Sequence, residues 1–292
     1  MPNSLEGQVA LITGGSQGIG RAVALALAAK GMNLVLAART ASTLEATAEE
    51  LRKSGVRVVT VPTDVSKLDD LQRLVATCIS EFGGIDVLIN NAGIEAFQSY
   101  HKIPIEKIQA TIATNTTGTL LLTRLVIPEM LKKGRGRIIN MSSTAALMAP
   151  PYGATYAATK ASLYQFSMAL RLEYKGTGIS ISAICPGFTQ DGGIYEFIKK
   201  TMGRSMPFLL RGTTADTVAK KVLKALRTDP PVLVVDTIGI RIAIVWASIF
   251  PRFGEWLTHK IAFRYFRRFA TKREEESTLT MPSATSSPQK QK

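Results

Sequence analysis

The chain has 292 residues, of which 46% are hydrophobic and 20% charged, a composition typical of a globular protein and not of a disordered or fibrous one. Its two cysteines, Cys78 and Cys185, lie in apolar stretches, which excludes a disulfide-built scaffold and favours a reducing compartment. The formal net charge of +14 indicates anionic partners, but no zinc-ligand spacing or nucleic-acid-binding pattern accompanies it. Residues 1–8 carry no secretory pattern. We therefore expect a cytoplasmic protein that binds neither a metal nor nucleic acid.

Short β-branched runs alternate with longer segments of helical periodicity between residues 8 and 236. The predicted strands cover residues 9–13, 33–37, 57–61, 87–90, 137–141, 180–184 and 232–235. Most of the helical segments end near a glycine, which can adopt the left-handed backbone that stops a helix. This alternation predicts an α/β fold: a Rossmann-type, doubly wound domain over residues 1–236, with a seven-stranded parallel sheet covered by helices on both faces. Functional residues should then follow the carboxyl ends of the strands.

A glycine-rich turn joins the first predicted strand to the first helix, which is the context of a dinucleotide-binding loop. Gly14 permits the tight turn, Gly18 lets the backbone approach a pyrophosphate, and Gly20 lets the helix pack on the strand. The helix N-terminus also favours negative charge. A glycine cluster taken alone is equally compatible with an ordinary turn. The predicted cofactor contacts in this loop are Gly14, Ser16, Gln17, Gly18, Ile19 and Gly20.

The residue at the end of the second strand indicates which nucleotide binds. An acidic residue about 20 positions after the glycine loop usually holds the ribose 2′-hydroxyl of NAD. Here the strand ends at Arg39, and the nearest acid that follows, Glu45, lies inside a helix. A guanidinium can bind the additional phosphate of NADP through two hydrogen bonds, so we predict NADP(H) in preference to NAD(H). The alternative is that Arg39 is a solvated charge beside a helix.

Further motifs follow the later strands in a fixed order. They are Asp64-Val65, Asn90-Asn91-Ala92-Gly93, Asn115, Ser143, Tyr156-x-x-x-Lys160 and Pro186-Gly187. Together with the glycine loop, their order and spacing resemble the short-chain dehydrogenase/reductase family over roughly residues 5–236. The resemblance implies an oxidoreductase that transfers a hydride between a nicotinamide ring and a carbonyl or alcohol carbon. It also implies a homodimer or homotetramer, formed through residues 105–133 and 155–175.

The same resemblance assigns cofactor contacts outside the glycine loop. It implies that Asp64 and Val65 contact the adenine and that Asn91, Ala92 and Gly93 support the cofactor. Near the nicotinamide it implies contacts from Tyr156, Lys160, Pro186, Gly187 and Thr189. Many family members carry a threonine four residues after the glycine of the Pro-Gly pair, a position that is Asp191 here, so we expect Thr189 to take over that contact.

The chemistry of the predicted catalytic pair follows from helix spacing. Tyr156 and Lys160 stand four residues apart and share one face of a helix, where an ammonium lowers the pKa of a nearby phenol. Tyr156 would then exchange a proton with the substrate oxygen, which Ser143 would also hydrogen-bond. The resemblance implies that Asn115 anchors a water that relays protons to Lys160. An ordinary helix face is the alternative, and Tyr152 is a rival phenol without a lysine four residues later.

Residues 237–270 form an apolar and basic extension, and we predict that residues 271–292 are a disordered tail. The apolar run at 238–250 is shorter than the roughly 20 residues needed to cross a bilayer. The extension either covers the substrate cleft or an oligomer seam, or makes peripheral contact with a membrane through its basic residues. With a predicted lid at residues 190–208, it favours a lipophilic substrate such as a 3-oxoacyl compound, a retinoid or a steroid. Two other functions stay open, a catalytically silent NADP-binding scaffold and a membrane-surface adaptor.

Overall fold

A computed structural model describes residues 4–95, 97–190, 200–203 and 212–279. The strands are β1 (Val9–Thr13), β2 (Asn33–Ala38), β3 (Val58–Pro62), β4 (Val87–Asn90), β5 (Gly136–Met141), β6 (Ile179–Pro186) and β7 (Val232–Val235). They form one sheet in the order β3-β2-β1-β4-β5-β6-β7, and every neighbouring pair is parallel. The predicted doubly wound α/β fold is confirmed.

Helices connect the strands and extend the chain beyond the sheet. They are α1 (Gly18–Ala28), α2 (Ala41–Arg52), α3 (Leu68–Phe82), α4 (Ile105–Ile112), α5 (Gly118–Lys133), α6 (Ala154–Glu173), α7 (Ala215–Thr228), α8 (Ile238–Ile249), α9 (Pro251–Thr258) and α10 (Arg264–Leu279). A π-helical turn, Ala113–Thr117, joins α4 to α5, and a second, His259–Phe263, joins α9 to α10. Gly83 and Gly134 end α3 and α5 in the left-handed conformation, with φ of 74° and 61°.

The core forms one layer on each face of the sheet. Strands such as β1 and β4 are buried throughout and apolar except for their last residues, as expected for parallel strands covered on both faces. One layer packs α1, α2 and α7 against the sheet, and the other packs α3 and α5 against it. The two layers hold the strands in fixed positions, so the loops at their carboxyl ends start from a rigid frame.

The strand order places a crevice at the carboxyl ends of the central strands. β1 lies between β2 and β4, so the connection after β1 leads to β2 on one side, and the connection after β4 leads to β5 on the other. The loops that follow β1 and β4 therefore diverge and leave a space where ligands bind in open α/β sheets.

The C-terminal extension forms a third apolar cluster outside the two core layers. Ala262, Tyr265, Phe266 and Phe269 pack against Phe97, which follows β4, and all five are buried. The extension therefore covers part of the crevice, one of the two arrangements that the sequence left open.

The predicted start of the disordered tail at residue 271 is wrong, because α10 continues to Leu279. Two ion pairs account for the extra length. Arg273 Nη1 donates to both carboxylate oxygens of Glu95, at 2.7 and 2.8 Å, and the Glu95 and Arg273 side chains are only 11% and 15% exposed. Glu274 accepts from Lys102 Nζ at 2.7 Å. Residues 280–292 lie outside the described residues.

Three other predictions concern the lid, membrane spanning and association between copies. Most of the predicted lid at residues 190–208 lies outside the described residues, as does Asp191. Within the described ranges no helix is long and apolar enough to span a membrane. Helices α4 to α6, where association between copies is expected, expose Ile105, Leu131 and Leu172, and the oligomeric state stays a prediction.

Candidate active site

A cavity of about 380 Å³ lies at the carboxyl ends of the strands, in the crevice beside β1. Its lining includes every predicted cofactor residue except Gly20: Gly14, Ser16, Gln17, Gly18, Ile19, Arg39, Asp64, Val65, Asn91, Ala92, Gly93, Tyr156, Lys160, Pro186, Gly187 and Thr189. Ser143 lines the same cavity, whereas Asn115 does not. The fold thus brings together residues that are far apart in the sequence, although their roles stay predictions.

The glycine loop has the close contacts that its sequence predicts. Gly14 and Gly18 have φ of 67° and 54°, a left-handed backbone that glycine adopts without strain. A Cβ on Gly20 would lie 2.0 Å from the Gly14 carbonyl oxygen, so only glycine lets α1 pack this closely. Asn91 Nδ2 donates to the Thr13 and Gly14 carbonyl oxygens, at 3.0 and 3.2 Å. These contacts leave the start of α1 open to the cavity, as a pyrophosphate requires.

The end of the cavity at β2 and β3 carries charges of both signs. The Arg39 side chain lines the cavity, is exposed and forms no salt bridge with another residue of the described ranges. Asp64 accepts hydrogen bonds from the backbone nitrogen and the hydroxyl of Ser66, at 3.0 and 2.7 Å. The hydrogen bond from the Ser66 hydroxyl is the largest cause that lowers the pKa of Asp64. An ionised carboxylate and a guanidinium therefore face this end, and they suit an adenosine group that carries an additional phosphate.

The opposite end of the cavity holds the predicted catalytic side chains. Lys160, at 4% exposure, donates from Nζ to the Met141 carbonyl oxygen at 2.9 Å, and Nζ lies 5.8 Å from the centre of the Tyr156 ring. A Cβ on Gly93 would lie 3.3 Å from that nitrogen, so glycine makes room for the lysine. Ser143 Oγ accepts from the Ala145 backbone nitrogen at 3.1 Å. The phenol, the ammonium and the hydroxyl thus converge on one cavity.

The pKa values of the pair differ from the sequence prediction. Burial raises the pKa of Tyr156 to about 12, although a hydrogen bond with Ser143 acts in the opposite direction. Burial also lowers the pKa of Lys160 to about 8. The predicted acidification of Tyr156 by Lys160 is therefore wrong. The ammonium is directed to the Met141 carbonyl, so desolvation of the phenolate outweighs its attraction.

Asn115 lies next to the cavity and supports it from behind. It is fully buried in the π-helical turn Ala113–Thr117, a distortion often found at functional sites. Its Oδ1 accepts from the Ile94 backbone nitrogen at 2.8 Å, and its Nδ2 donates to the Ile94 carbonyl at 2.8 Å and to Thr159 Oγ1 at 3.0 Å. These bonds fix the segment after β4 to α6, which carries the catalytic pair. The predicted role of Asn115 in holding a water stays a prediction.

An aromatic wall, formed by Phe97, Phe188 and Phe266, was not predicted as part of the site. The Phe97 ring lies 5.7 Å from the Tyr156 ring and 5.4 Å from the Phe266 ring, and Phe188 lies 5.7 Å from Phe266. Phe266 was visible in the sequence only as part of an aromatic extension. Phe97 had no sequence signal, since a single phenylalanine in a loop does not show what it will face.

The loop after β6 is constrained at the predicted nicotinamide end. A Cβ on Gly187 would lie 1.9 Å from Asp236 Oδ2, so this position requires glycine. Thr189 Oγ1 donates to the Gly187 carbonyl at 3.4 Å and lines the cavity. Asp236 also lines the cavity, and burial raises its pKa. Like the aromatic wall, Asp236 is part of the cavity lining that the sequence did not indicate.

The extension completes the cavity with apolar side chains. Residues of α8, α9 and the following turn line it, namely Ile240, Ala243, Leu257, Ile261 and Ala262. Met148 and Pro150, which precede α6, line it as well. Apart from the predicted cofactor contacts, Asp236 is the charged residue among the described side chains that line the cavity.

Comparison with known proteins agrees with this geometry. The family model of the short chain dehydrogenases matches residues 8–200. The chain belongs to the short-chain dehydrogenase family and is an oxidoreductase of that family.

The chain is similar to individual relatives over most of its length. The chain is 40% identical over 228 residues to a 3-oxoacyl-[acyl-carrier-protein] reductase of Synechocystis, with 78% of this chain and 92% of the relative covered. It is 34% identical over 233 residues to the ketoacyl reductase HetN of Nostoc, with 80% of each covered. Among solved structures, L-sorbose reductase from Gluconobacter frateurii complexed with NADPH and L-sorbose has a TM-score of 0.75 at 29% identity, covering 81% of this chain and 97% of that one.

Proposed function

We propose that the protein is an NADP(H)-dependent carbonyl reductase of lipophilic ketones, with Tyr156 as its proton donor. The observation that carries the proposal is the convergence of Tyr156, Ser143 and Lys160 in a cavity with apolar walls. NADPH, when bound, supplies a hydride to the carbonyl carbon of the substrate. The carbonyl oxygen takes the proton of the Tyr156 hydroxyl, and a secondary alcohol results.

The pKa values of Tyr156 and Lys160 support the reductive direction. With a pKa raised to about 12, the Tyr156 phenol is neutral at pH 7 and holds the proton that a reduction needs. Ser143 Oγ, beside it, donates a hydrogen bond to the oxygen on which negative charge develops. Lys160, with a pKa of about 8, remains largely protonated at pH 7 and places a positive charge behind the phenol. Asn115 fixes the helix that carries the pair.

The residues present fit a dinucleotide along the whole cavity. The glycine loop and the first residues of α1, from Gly14 to Ile19, would hold the pyrophosphate, and Gly20 packs the helix behind it. Asp64 and Val65 would contact the adenine. The middle of the cofactor would lie against Asn91, Ala92 and Gly93, and its nicotinamide against Pro186, Gly187 and Thr189.

We expect Arg39 to select the phosphorylated nucleotide. In the Arg39→Ala variant, kcat/KM for NADPH should fall by about 10-fold to 100-fold, because a hydrogen bond to a charged group contributes about 1.5–3 kcal/mol. The value for NADH should change by less than about twofold, since NADH lacks the 2′-phosphate. Steady-state assays of nicotinamide oxidation measure both values.

Lys53→Ala provides the matched control, because Lys53 is an exposed cation at the end of α2 that does not line the cavity. This variant should leave kcat/KM unchanged for both NADPH and NADH. An equal fall for NADPH and NADH in Arg39→Ala would contradict the assignment of Arg39 to the 2′-phosphate.

The walls of the cavity support a lipophilic substrate. Phe97 packs 5.7 Å from the Tyr156 ring, and Phe188, Phe266, Ile240 and Ile261 line the same cavity. Each methylene that such a wall removes from water contributes about 0.8 kcal/mol, or roughly fourfold in kcat/KM. A polyhydroxylated ketone would lose its hydrogen bonds to water there without finding enough partners.

A panel of 3-oxoacyl thioesters of increasing chain length tests this substrate class with NADPH. We expect kcat/KM to rise by up to about fourfold for each added methylene until the cavity is full. A short polyhydroxylated ketone of similar carbonyl reactivity serves as the comparison. Equal kcat/KM for the short ketone and the long thioesters would contradict the lipophilic class and would leave the reductase activity intact.

A further inference from the structure

The outer side of α8 exposes an apolar stripe. Ile238, Ile242, Val245, Trp246 and Ile249 recur at the spacing of one helix face, and each is at least half exposed. The opposite side of α8 lines the cavity through Ile240 and Ala243. The helix is therefore apolar on both sides, although only one of them is covered by this chain.

Helix α9 continues the exposed surface. α8 and α9 form a close hairpin, since a Cβ on Gly254 would lie 2.6 Å from Ala247 Cβ. Phe250, Phe253 and Trp256 remain exposed on this hairpin. The Trp246 and Phe250 rings stack at 5.5 Å, and those of Phe253 and Trp256 lie 5.8 Å apart. We call these three residues and the five of α8 the apolar face.

A cationic groove borders the apolar face at Trp256. Lys260 Nζ lies 4.9 Å from the centre of the Trp256 ring. Arg264, Arg267, Arg268 and Lys272 line the same groove as Trp256, together with His259 and one acid, Glu275. Arg264, Arg267 and Arg268 are exposed and have no ion-pair partner among the residues that the structure describes. Positive charge is thus concentrated beside exposed tryptophans.

We propose that the apolar face and the cationic groove together dock the protein on a bilayer that contains anionic lipids. An apolar face of eight exposed side chains marks an interaction surface. Tryptophan and phenylalanine beside arginine and lysine match the boundary between acyl chains and headgroups. The unpaired guanidinium groups complement anionic headgroups, whereas a second copy of this chain would present the same positive charge. The hairpin lies on the membrane and does not span it.

This surface is also the outer wall of the active-site cavity. Ile240 and Ala243 line the cavity from the helix whose other side would rest on the bilayer, as Leu257 does from α9. Taken with the proposed function, on which this step alone rests, a lipophilic ketone would reach Tyr156 from the membrane side. Docking itself does not depend on catalysis.

Vesicle flotation of the full-length protein tests the docking. One set of vesicles contains phosphatidylcholine alone, and the other contains about one third phosphatidylglycerol. We expect binding to the anionic vesicles to be at least about tenfold stronger, since each cation near such a surface strengthens binding about fivefold. Raising the salt from about 0.1 to 1 M should weaken that binding, because the Debye length falls from about 10 to 3 Å.

Two double variants separate the contributions of charge and apolar contact. Arg267→Glu/Arg268→Glu should lower binding to anionic vesicles by at least about 25-fold, while Trp246→Ser/Ile249→Ser should lower binding to both kinds of vesicle. Lys220→Glu/Lys224→Glu makes the same change in net charge on exposed residues of α7 and should bind almost as wild type. All of these positions are exposed, so unchanged melting temperatures show that the variants fold.

Three outcomes would overturn the proposal. The first is that the protein binds neither kind of vesicle, and the second is that the α7 control loses as much binding as Arg267→Glu/Arg268→Glu. The third is that the protein is a dimer that Trp246→Ser/Ile249→Ser dissociates, because the apolar face would then contact a second copy. Reduction of a small soluble ketone, measured without vesicles, should be unchanged in all three double variants. A failure of docking is therefore distinguishable from a failure of the proposed reductase activity.

Discussion

Replacing Tyr156 with phenylalanine is expected to lower kcat for ketone reduction by about 10²–10⁴-fold, the usual contribution of a positioned proton donor. Phenylalanine keeps the ring that packs 5.7 Å from Phe97 and removes only the hydroxyl. Because the substitution removes at most one hydrogen bond to the cofactor, the affinity for NADPH should fall by no more than about tenfold. Single-turnover kinetics and fluorescence titration with NADPH measure the two effects separately.

The control for this substitution is Tyr152→Phe. Tyr152 is the other phenol near the site, and its ring lies 6.0 Å from that of Phe263 in the extension. Tyr152 lies in the turn before α6, and no lysine stands four residues later in the sequence. We expect nearly wild-type kcat in this variant. If Tyr156→Phe retained full activity while Tyr152→Phe lost it, the proton donor would have been assigned to the wrong residue.

Replacing Lys160 with methionine should have opposite effects on activity and on stability. Turnover should fall by about 100-fold or more, because the positive charge behind Tyr156 is lost. The free energy of unfolding at pH 7 should instead rise by about 1–3 kcal/mol, given about 1.4 kcal/mol for each unit of pKa shift. The source of this gain is the burial that lowers the pKa of Lys160 from 10.5 to about 8.

The sign of the stability change follows from the proton balance. Below pH 8, Lys160 is charged in both the folded and the unfolded protein, and the folded state bears the full desolvation penalty. Between pH 8 and 10.5 the folded protein releases this proton first, so unfolding takes up a proton and stability rises with pH. The advantage of Lys160→Met should therefore shrink as pH rises through this window.

Urea unfolding at pH 7 and at about pH 9.5 measures that difference, with Lys224→Met as the control. Lys224 is exposed on α7, so its replacement should change the free energy of unfolding by less than about 0.5 kcal/mol at either pH. A Lys160→Met variant that is less stable than wild type at pH 7 would show that the hydrogen bond to the Met141 carbonyl outweighs the desolvation of the ammonium.

The sequence alone determined the class of fold and most of the candidate site. The alternation of strand and helix periods predicted the parallel sheet. The succession of a strand, a glycine-rich turn and a helix predicted the nucleotide loop. Ser143 follows β5, and Tyr156 lies in the first turn of α6, the next long helix. The sheet therefore brings both residues to the carboxyl ends of its strands. These features depend on the spacing of residues within short segments, and this spacing can be read directly from the sequence.

Tertiary structure decided what faces the catalytic residues. The ion pair between Glu95 and Arg273 joins residues 178 positions apart, and it holds α10 in place through residues that looked like a disordered tail. The same packing places Phe97 and Phe266 beside Tyr156. The direction of the Tyr156 pKa shift was also missed, because it depends on how much water the surrounding chain removes from the phenol. Burial and contacts between distant residues arise only when the chain packs, so no local pattern encodes them.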